Sequence, residues 1–146
     1  MPKNINNTNA SEKKLSGKAV LVGVDTGTAT SGEYDYSSYD IEKSLDELER
    51  LLATAGGTVF ARMTQSKEAP DPRTYIGSGK VTELADLCAD NEIALVVFDT
   101  ELSPSQIRNL EDRLGNVTVI DRSMLILDIF ALHAVTGEGK LQVELA

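Results

Sequence analysis

Apolar residues along this chain fall into short runs separated by helical stripes, and the alternation of the two predicts the fold. Lys18-Ala19-Val20-Leu21-Val22-Gly23-Val24 is a nearly continuous apolar run, the mark of a strand covered on both faces. From Tyr39 onward, Ile41, Leu45, Leu48 and Leu52 recur at three- and four-residue spacing, with Glu42, Asp46, Glu47 and Glu49 on the other side. That spacing predicts an amphipathic helix, which Gly56-Gly57 ends. Val59 to Gln65 reads as a second strand and the segment around Pro70 and Pro72 as a loop. A helix beginning near Gly79 carries Val81, Leu84, Ala85, Leu87 and Cys88. Ile93 to Phe98 is apolar throughout and predicts a third strand, closed by Asp99. The next helix has a full start signal, with Ser103 as N-cap, Pro104 at the first helical position and Gln106 completing a capping box. Gly115 stops it, Val117 to Ile120 predicts a fourth strand, and Ser123 is placed to cap a last helix over Met124 to Val135.

Strand and helix alternating in this way predict an α/β fold: a four-stranded, mainly parallel sheet with helices on both faces. Leu141 and Leu145, one helical turn apart, then predict the start of a helical segment cut short at Ala146. Three parts are therefore expected: a disordered tail over 1–17, an α/β domain over 18–135, and the beginning of a truncated helical linker over 136–146. The tail is rich in Asn, Ser and Lys and nearly devoid of apolar residues. The chain's 146 residues are enough for a real core.

Composition narrows the function. The 41% hydrophobic and 25% charged content is ordinary for a globular domain. No run approaches the roughly 18 apolar residues of a membrane span, and no export signal opens the chain, so a cytoplasmic protein without a membrane span is expected. Cys88 is the sole cysteine and reads as a small buried hydrophobe. His133, the only histidine, lacks the partners of a triad or a metal site, so neither catalytic nor metal-binding residues are expected. Met124 to Val135 is too apolar for an exposed helix, which predicts burial in the core or against a partner. The net charge of −9 opposes freestanding nucleic-acid binding, which depends on cations neutralising phosphates.

Candidate chemistry gathers where the strands end, the edge at which such sheets bind ligands. There lie Asp25, the segment Ser66 to Lys80, Asp99 with Glu101, and Asp121 with Arg122. Gly77-Ser78-Gly79-Lys80 is either a phosphate-binding turn or a bare tight turn into a helix. Asp121-Arg122 is either a local ion pair or a place where Arg122 meets RNA phosphate. Asp99 and Asp121 resemble the acids of phosphate-accepting receiver domains, but Asp25 stands alone and the late lysine of those domains is absent. A nucleoside-triphosphatase loop, G-x-x-x-x-G-K-[ST], is missing: Thr74 stands where its first glycine belongs and Val81 replaces its hydroxyl. The chain alone is not expected to hydrolyse GTP.

Five words of sequence carry a specific resemblance: Tyr75-Ile76-Gly77-Ser78-Gly79-Lys80, Leu102-Ser103-Pro104-Ser105-Gln106, Val119-Ile120-Asp121-Arg122, Leu125-Ile126-Leu127-Asp128-Ile129-Phe130, and Gly139 to Ala146. In this order they closely resemble the N-terminal domain of the HflX family of ribosome-associated GTPases, a resemblance that covers roughly residues 18 to 146, dense and specific from Pro70 onward and architectural before that. The resemblance implies a non-catalytic, RNA-facing effector domain, with no cofactor of its own. The missing helical segment and GTPase domain would follow it, the latter holding GTP and Mg. The implied partner is the large (50S) ribosomal subunit through its rRNA, in ribosome splitting, rescue or biogenesis.

Candidate phosphate or RNA contacts are Arg73, Gly77, Ser78, Gly79, Lys80, Arg108, Arg113, Arg122 and Lys140. Lys80 and Lys140 rest on matching motifs, and the four arginines on charge and position. His133 and Val135 stand where the family commonly carries basic residues, so the missing parts are expected to supply much of the affinity and this domain the placement. Two other readings stand beside this one. The first is a nucleotide (ATP)-binding domain using the Gly77–Lys80 loop. The second is a dimerising scaffold using Met124 to Val135.

Overall fold

A computed structural model describes residues 17–25, 36–66 and 69–135, without the side chains of 36–40 and 132–135. Among the described residues eight elements alternate strand and helix: β1 (Lys18–Asp25), α1 (Tyr36–Thr54), β2 (Thr58–Ser66), α2 (Ser78–Asn91), β3 (Leu95–Phe98), α3 (Pro104–Leu114), β4 (Thr118–Asp121) and α4 (Arg122–Val135). The strands form one sheet in the order β2-β1-β3-β4, and every pairing is parallel. The direction of winding therefore reverses between β1 and β3, the topological switch point at which open sheets leave a crevice.

Successive strand residues point to opposite faces, and helices cover both. Val20, Val22, Val96 and Phe98 pack with Val81, Leu84 and Cys88 of α2 and Leu110 and Leu114 of α3. Ala19, Leu21, Leu95, Val97 and Ile120 pack on the other face with Leu45, Leu48 and Leu52 of α1 and Leu125 of α4. Burial on both faces explains why the strand sequences read as unbroken apolar runs. Gly23 permits a close approach of β1 and α1, since a Cβ there would lie 3.3 Å from both Ile41 Cγ2 and Leu45 Cδ1. A bulge in edge strand β2 skips Phe60 between the pairs Ala19–Val59 and Val20–Ala61. The ring consequently sits 44% exposed, with Lys18 Nζ 5.5 Å from its centroid.

Helix α3 carries the full capping box expected of it. Gln106 N–H donates to Ser103 Oγ at 3.1 Å, Ser103 N–H donates to Gln106 Oε1 at 2.9 Å, and Gly115 at φ 88° ends the helix. Three local expectations are corrected. The helix after β1 begins at Tyr36 rather than Tyr39, and β3 begins at Leu95 rather than Ile93. The start of α4 is capped by Asp121, not Ser123: Asp121 Oδ1 accepts from Met124 N–H at 2.9 Å, while Ser123 Oγ donates to Glu101 Oε2 at 3.3 Å. A carboxylate one residue before a helix holds an orphan N–H and also favours the positive end of the dipole, so it outcompetes the later hydroxyl.

The apolar helix is buried on one side only. Leu125 is fully buried, whereas Leu127 and Phe130 are each 65% exposed. Among the described residues, no helix is long and apolar enough to cross a membrane. The expected tail apart from Gly17, the loop after β1, and the linker with Lys140, Leu141 and Leu145 lie outside the described residues.

Candidate phosphate-binding groove at the start of helix α2

The loop from Asp71 to Gly77 is built by short-range hydrogen bonds and then fastened to α3. Asp71 and Tyr75 exchange backbone hydrogen bonds at 2.9 and 2.8 Å, and the Arg73 N–H donates to Asp71 Oδ1 at 2.8 Å. This tight reversal requires φ 67° at Tyr75, a left-handed conformation costly for a bulky residue. Tyr75 packs against the core cluster beneath it, with its hydroxyl 3.3 Å from Thr100 Oγ1. Thr74 is buried and its hydroxyl donates to the Ile76 carbonyl at 2.7 Å, with Ile76 wholly inside the core. From α3, Gln106 Nε2 donates to the Asp71 carbonyl and Asn109 Nδ2 to the Arg73 carbonyl, both at 3.1 Å.

Between this loop and α3 lies a groove of about 340 Å³ lined by Asp71, Pro72, Arg73, Thr74, Ser78 and Arg113. It brings together three expected contact residues that are 40 positions apart at the extremes. Arg113 Nη2 donates to the Ser78 carbonyl at 3.4 Å and to Thr82 Oγ1 at 3.2 Å, so neutral oxygens orient its guanidinium. Neither Arg73 nor Arg113 has a carboxylate partner among the described residues. The Asp71 carboxylate is turned to the Arg73 backbone instead. The groove thus carries two guanidinium groups outside any ion pair among the described residues and one carboxylate, Asp71, and a guanidinium in general can meet a phosphate through paired N–H donors.

The glycine word itself is less of a cradle than its sequence suggests. Gly77 adopts ordinary extended φ and ψ of −66° and 158°, and its N–H donates to Gln65 Oε1 at 2.9 Å. Gly79 has open space around it, and Lys80 Nζ lies 3.5 Å from Glu83 Oε1, a partly exposed pair. Arg108 is exposed on α3.

Arg122 stands on the opposite face of the sheet, and its expected pairing with Asp121 does not form. Its Nη1 binds Asp99 Oδ1 at 2.7 Å and Ser44 Oγ at 3.0 Å, and its Nη2 binds Glu47 Oε1 at 2.6 Å. Burial opposes the charge of Arg122, but hydrogen bonds to Asp99 and Glu47 outweigh it and raise the pKa. Asp121 accepts from Leu102 N–H and Met124 N–H, so both its oxygens hold backbone rather than a receiver-type site. Arg62 is likewise enclosed by acids, with Asp46, Glu49 and Glu42 at 2.6, 2.8 and 3.2 Å. Hydrogen bonds to Asp46 and Glu49 raise its pKa above the ordinary value. Among the described residues, no group of His, Cys, Asp or Glu side chains is arranged to hold a metal ion.

Sequence reasoning missed Gln106 and Asn109 as parts of the site. Their only signal was helical spacing, three apart on one face of α3, and nothing local indicated which loop that face would meet.

Residues 42–131 match the family described as GTP-binding GTPase N-terminal. A GTPase HflX of Lacrimispora saccharolytica is 45% identical over 134 residues, covering 92% of this chain and 29% of that protein. A GTPase HflX of Escherichia coli is 49% identical over 104 residues, covering 71% of this chain and 24% of that protein. The chain thus spans less than a third of the curated relatives it matches. Among solved structures, a GTP-binding protein from Sulfolobus solfataricus in complex with GDP superposes with a TM-score of 0.59. Its identity is 25%, over 88% of this chain and 35% of that one. The all-parallel sheet, the family match across residues 42–131 and the 45–49% identical relatives lead to one assignment: the chain belongs to the GTP-binding GTPase N-terminal family, as an HflX-type N-terminal domain.

Proposed function

We propose that this chain is the ribosome-binding effector domain of an HflX-type GTPase, and that it meets rRNA of the large ribosomal subunit through the α2–α3 groove. In this reading the described part of residues 18–135 forms the effector domain. The GTPase domain lies outside the chain and holds GTP and Mg for hydrolysis, while this chain catalyses nothing itself. The assembly acts in the cytoplasm in ribosome splitting, rescue or biogenesis.

One observation carries the reading: in a chain of net charge −9, Arg73 and Arg113 line a single groove and neither forms an ion pair among the described residues, with Asp71 the groove's one carboxylate. Local positive charge is what phosphate recognition requires, and the acidic remainder limits indiscriminate binding. Ser78 completes the groove, with Gly77, Gly79, Lys80 and Arg108 as flanking contacts, and Lys140, outside the described residues, as a further candidate RNA contact. Arg122 contributes less, because two carboxylates already compensate it. Affinity from the rest of the GTPase adds to this contact by effective concentration.

Co-sedimentation with purified large subunits tests the proposal. The chain is expected to bind weakly at low salt and to dissociate as salt rises, with Arg73→Ala and Arg113→Ala each weakening binding. An unaltered chain that stays in the supernatant at low salt would sink the reading.

A further inference from the structure

We propose that Asn109 is a positioning residue that preassembles the groove for a phosphate group by holding the Arg73 loop against α3. The inference rests on the proposed RNA contact for the source of that phosphate, a phosphodiester, though a free phosphate offers the same chemistry. Arg73 sits at the apex of the loop, between the mutually bonded Asp71 and Tyr75. The buried Thr74 and Ile76 anchor one side of this reversal, but the exposed Arg73 apex needs its own tether to α3, and ordering it only on binding would consume affinity. Asn109 Nδ2 donates to the carbonyl of Arg73 itself, and Gln106 Nε2 does the same for Asp71 one turn earlier. Both clamps are neutral amides. A carboxylate in their place would add to the negative charge that Asp71 already brings to the groove. An amide fixes the backbone and adds no negative charge, and the Arg73 side chain has no ion pair among the described residues. Gln106 also serves the capping box, so Asn109 is the cleaner residue to remove.

Nuclear magnetic resonance of the nitrogen-labelled chain tests this, following the amide signals of Arg73 and Ser78 during titration. The probes are inorganic phosphate and, separately, a single-stranded uridine oligonucleotide. Wild type, Arg73→Ala, Asn109→Ala and the double variant are compared. Saturable shifts are expected, weakened several-fold by Asn109→Ala, with no further loss when Asn109→Ala is added to Arg73→Ala. That non-additivity marks action through Arg73, which general destabilisation would not produce. Should Asn109→Ala fold poorly, Asn109→Ser, too short to reach the carbonyl, repeats the comparison. Saturation by the oligonucleotide alone assigns a polynucleotide source, and saturation by both assigns the phosphate group itself. Absence of shifts with either probe, additive losses, or full binding by Asn109→Ala would each overturn the proposal. A wild type that shows this coupling yet fails to sediment with ribosomal subunits removes only the ribosomal reading. Subunit binding with additive losses removes only the role of Asn109.

Discussion

Arg122 reaches across the end of the sheet to Asp99, whose side chain is only 7% exposed, and the two groups meet at 2.7 Å. One guanidinium thereby ties the exit of β3 to the first turn of α4 and, through Ser44 and Glu47, to α1. Removing it leaves a buried carboxylate without its charge partner. Breaking a fully buried pair costs about 3–5 kcal/mol, and partial exposure of Arg122 reduces this. Arg122→Met is therefore expected to lose about 2 kcal/mol in urea unfolding. Adding Asp99→Asn should recover much of that loss, and a double variant no better than Arg122→Met would refute the pairing as the cause.

Asp121 is 5% exposed and accepts from the N–H groups of both Leu102 and Met124 at 2.9 Å. Asp121→Ala strands two buried donors and is expected to cost about 2–4 kcal/mol, combining lost charged hydrogen bonds with helix capping. Ser123→Ala should stay within about 0.5 kcal/mol of wild type. The ranking of the two unfolding midpoints checks which residue caps α4.

Helix α4 should respond to substitution on one side only. Leu125→Ala empties a fully buried site and is expected to cost about 2–5 kcal/mol. Leu127→Ala, at a position 65% exposed, should change stability by no more than about 0.5 kcal/mol. Comparable losses at both positions, measured by thermal unfolding, would show that Leu127 is covered in solution.

The Cys88 thiol is 2% exposed, and burial pushes its pKa from about 9 up to about 11. The folded state therefore keeps a proton that the unfolded state releases. The contribution is fully present below about pH 9 and is lost as pH rises toward 11, where the unfolded state gains by ionising. The stability difference between wild type and Cys88→Ala, followed from pH 8 to about 11, should shift against wild type across that window. At neutral pH the native thiol should resist alkylation until denaturant exposes it.

Much of the architecture was legible because its signals are local. Continuous apolar runs in β1 and β3, the stripe of Leu45, Leu48 and Leu52, and the Ser103-Pro104-Gln106 start of α3 depend on neighbours in sequence, and each holds in the structure. Hydrophobic period and capping chemistry act over a turn or a strand, so residue order alone determines them. Tertiary structure decided what depends on distant partners. It chose Asp99 and Glu47 rather than Asp121 for Arg122, made one flank of α4 core and the other surface, and brought Asn109 to the carbonyl of Arg73 thirty-six residues away. The groove between Arg73 and Arg113 exists only once α3 lies beside α2, because two charges far apart in sequence acquire a common field only when packing makes them neighbours.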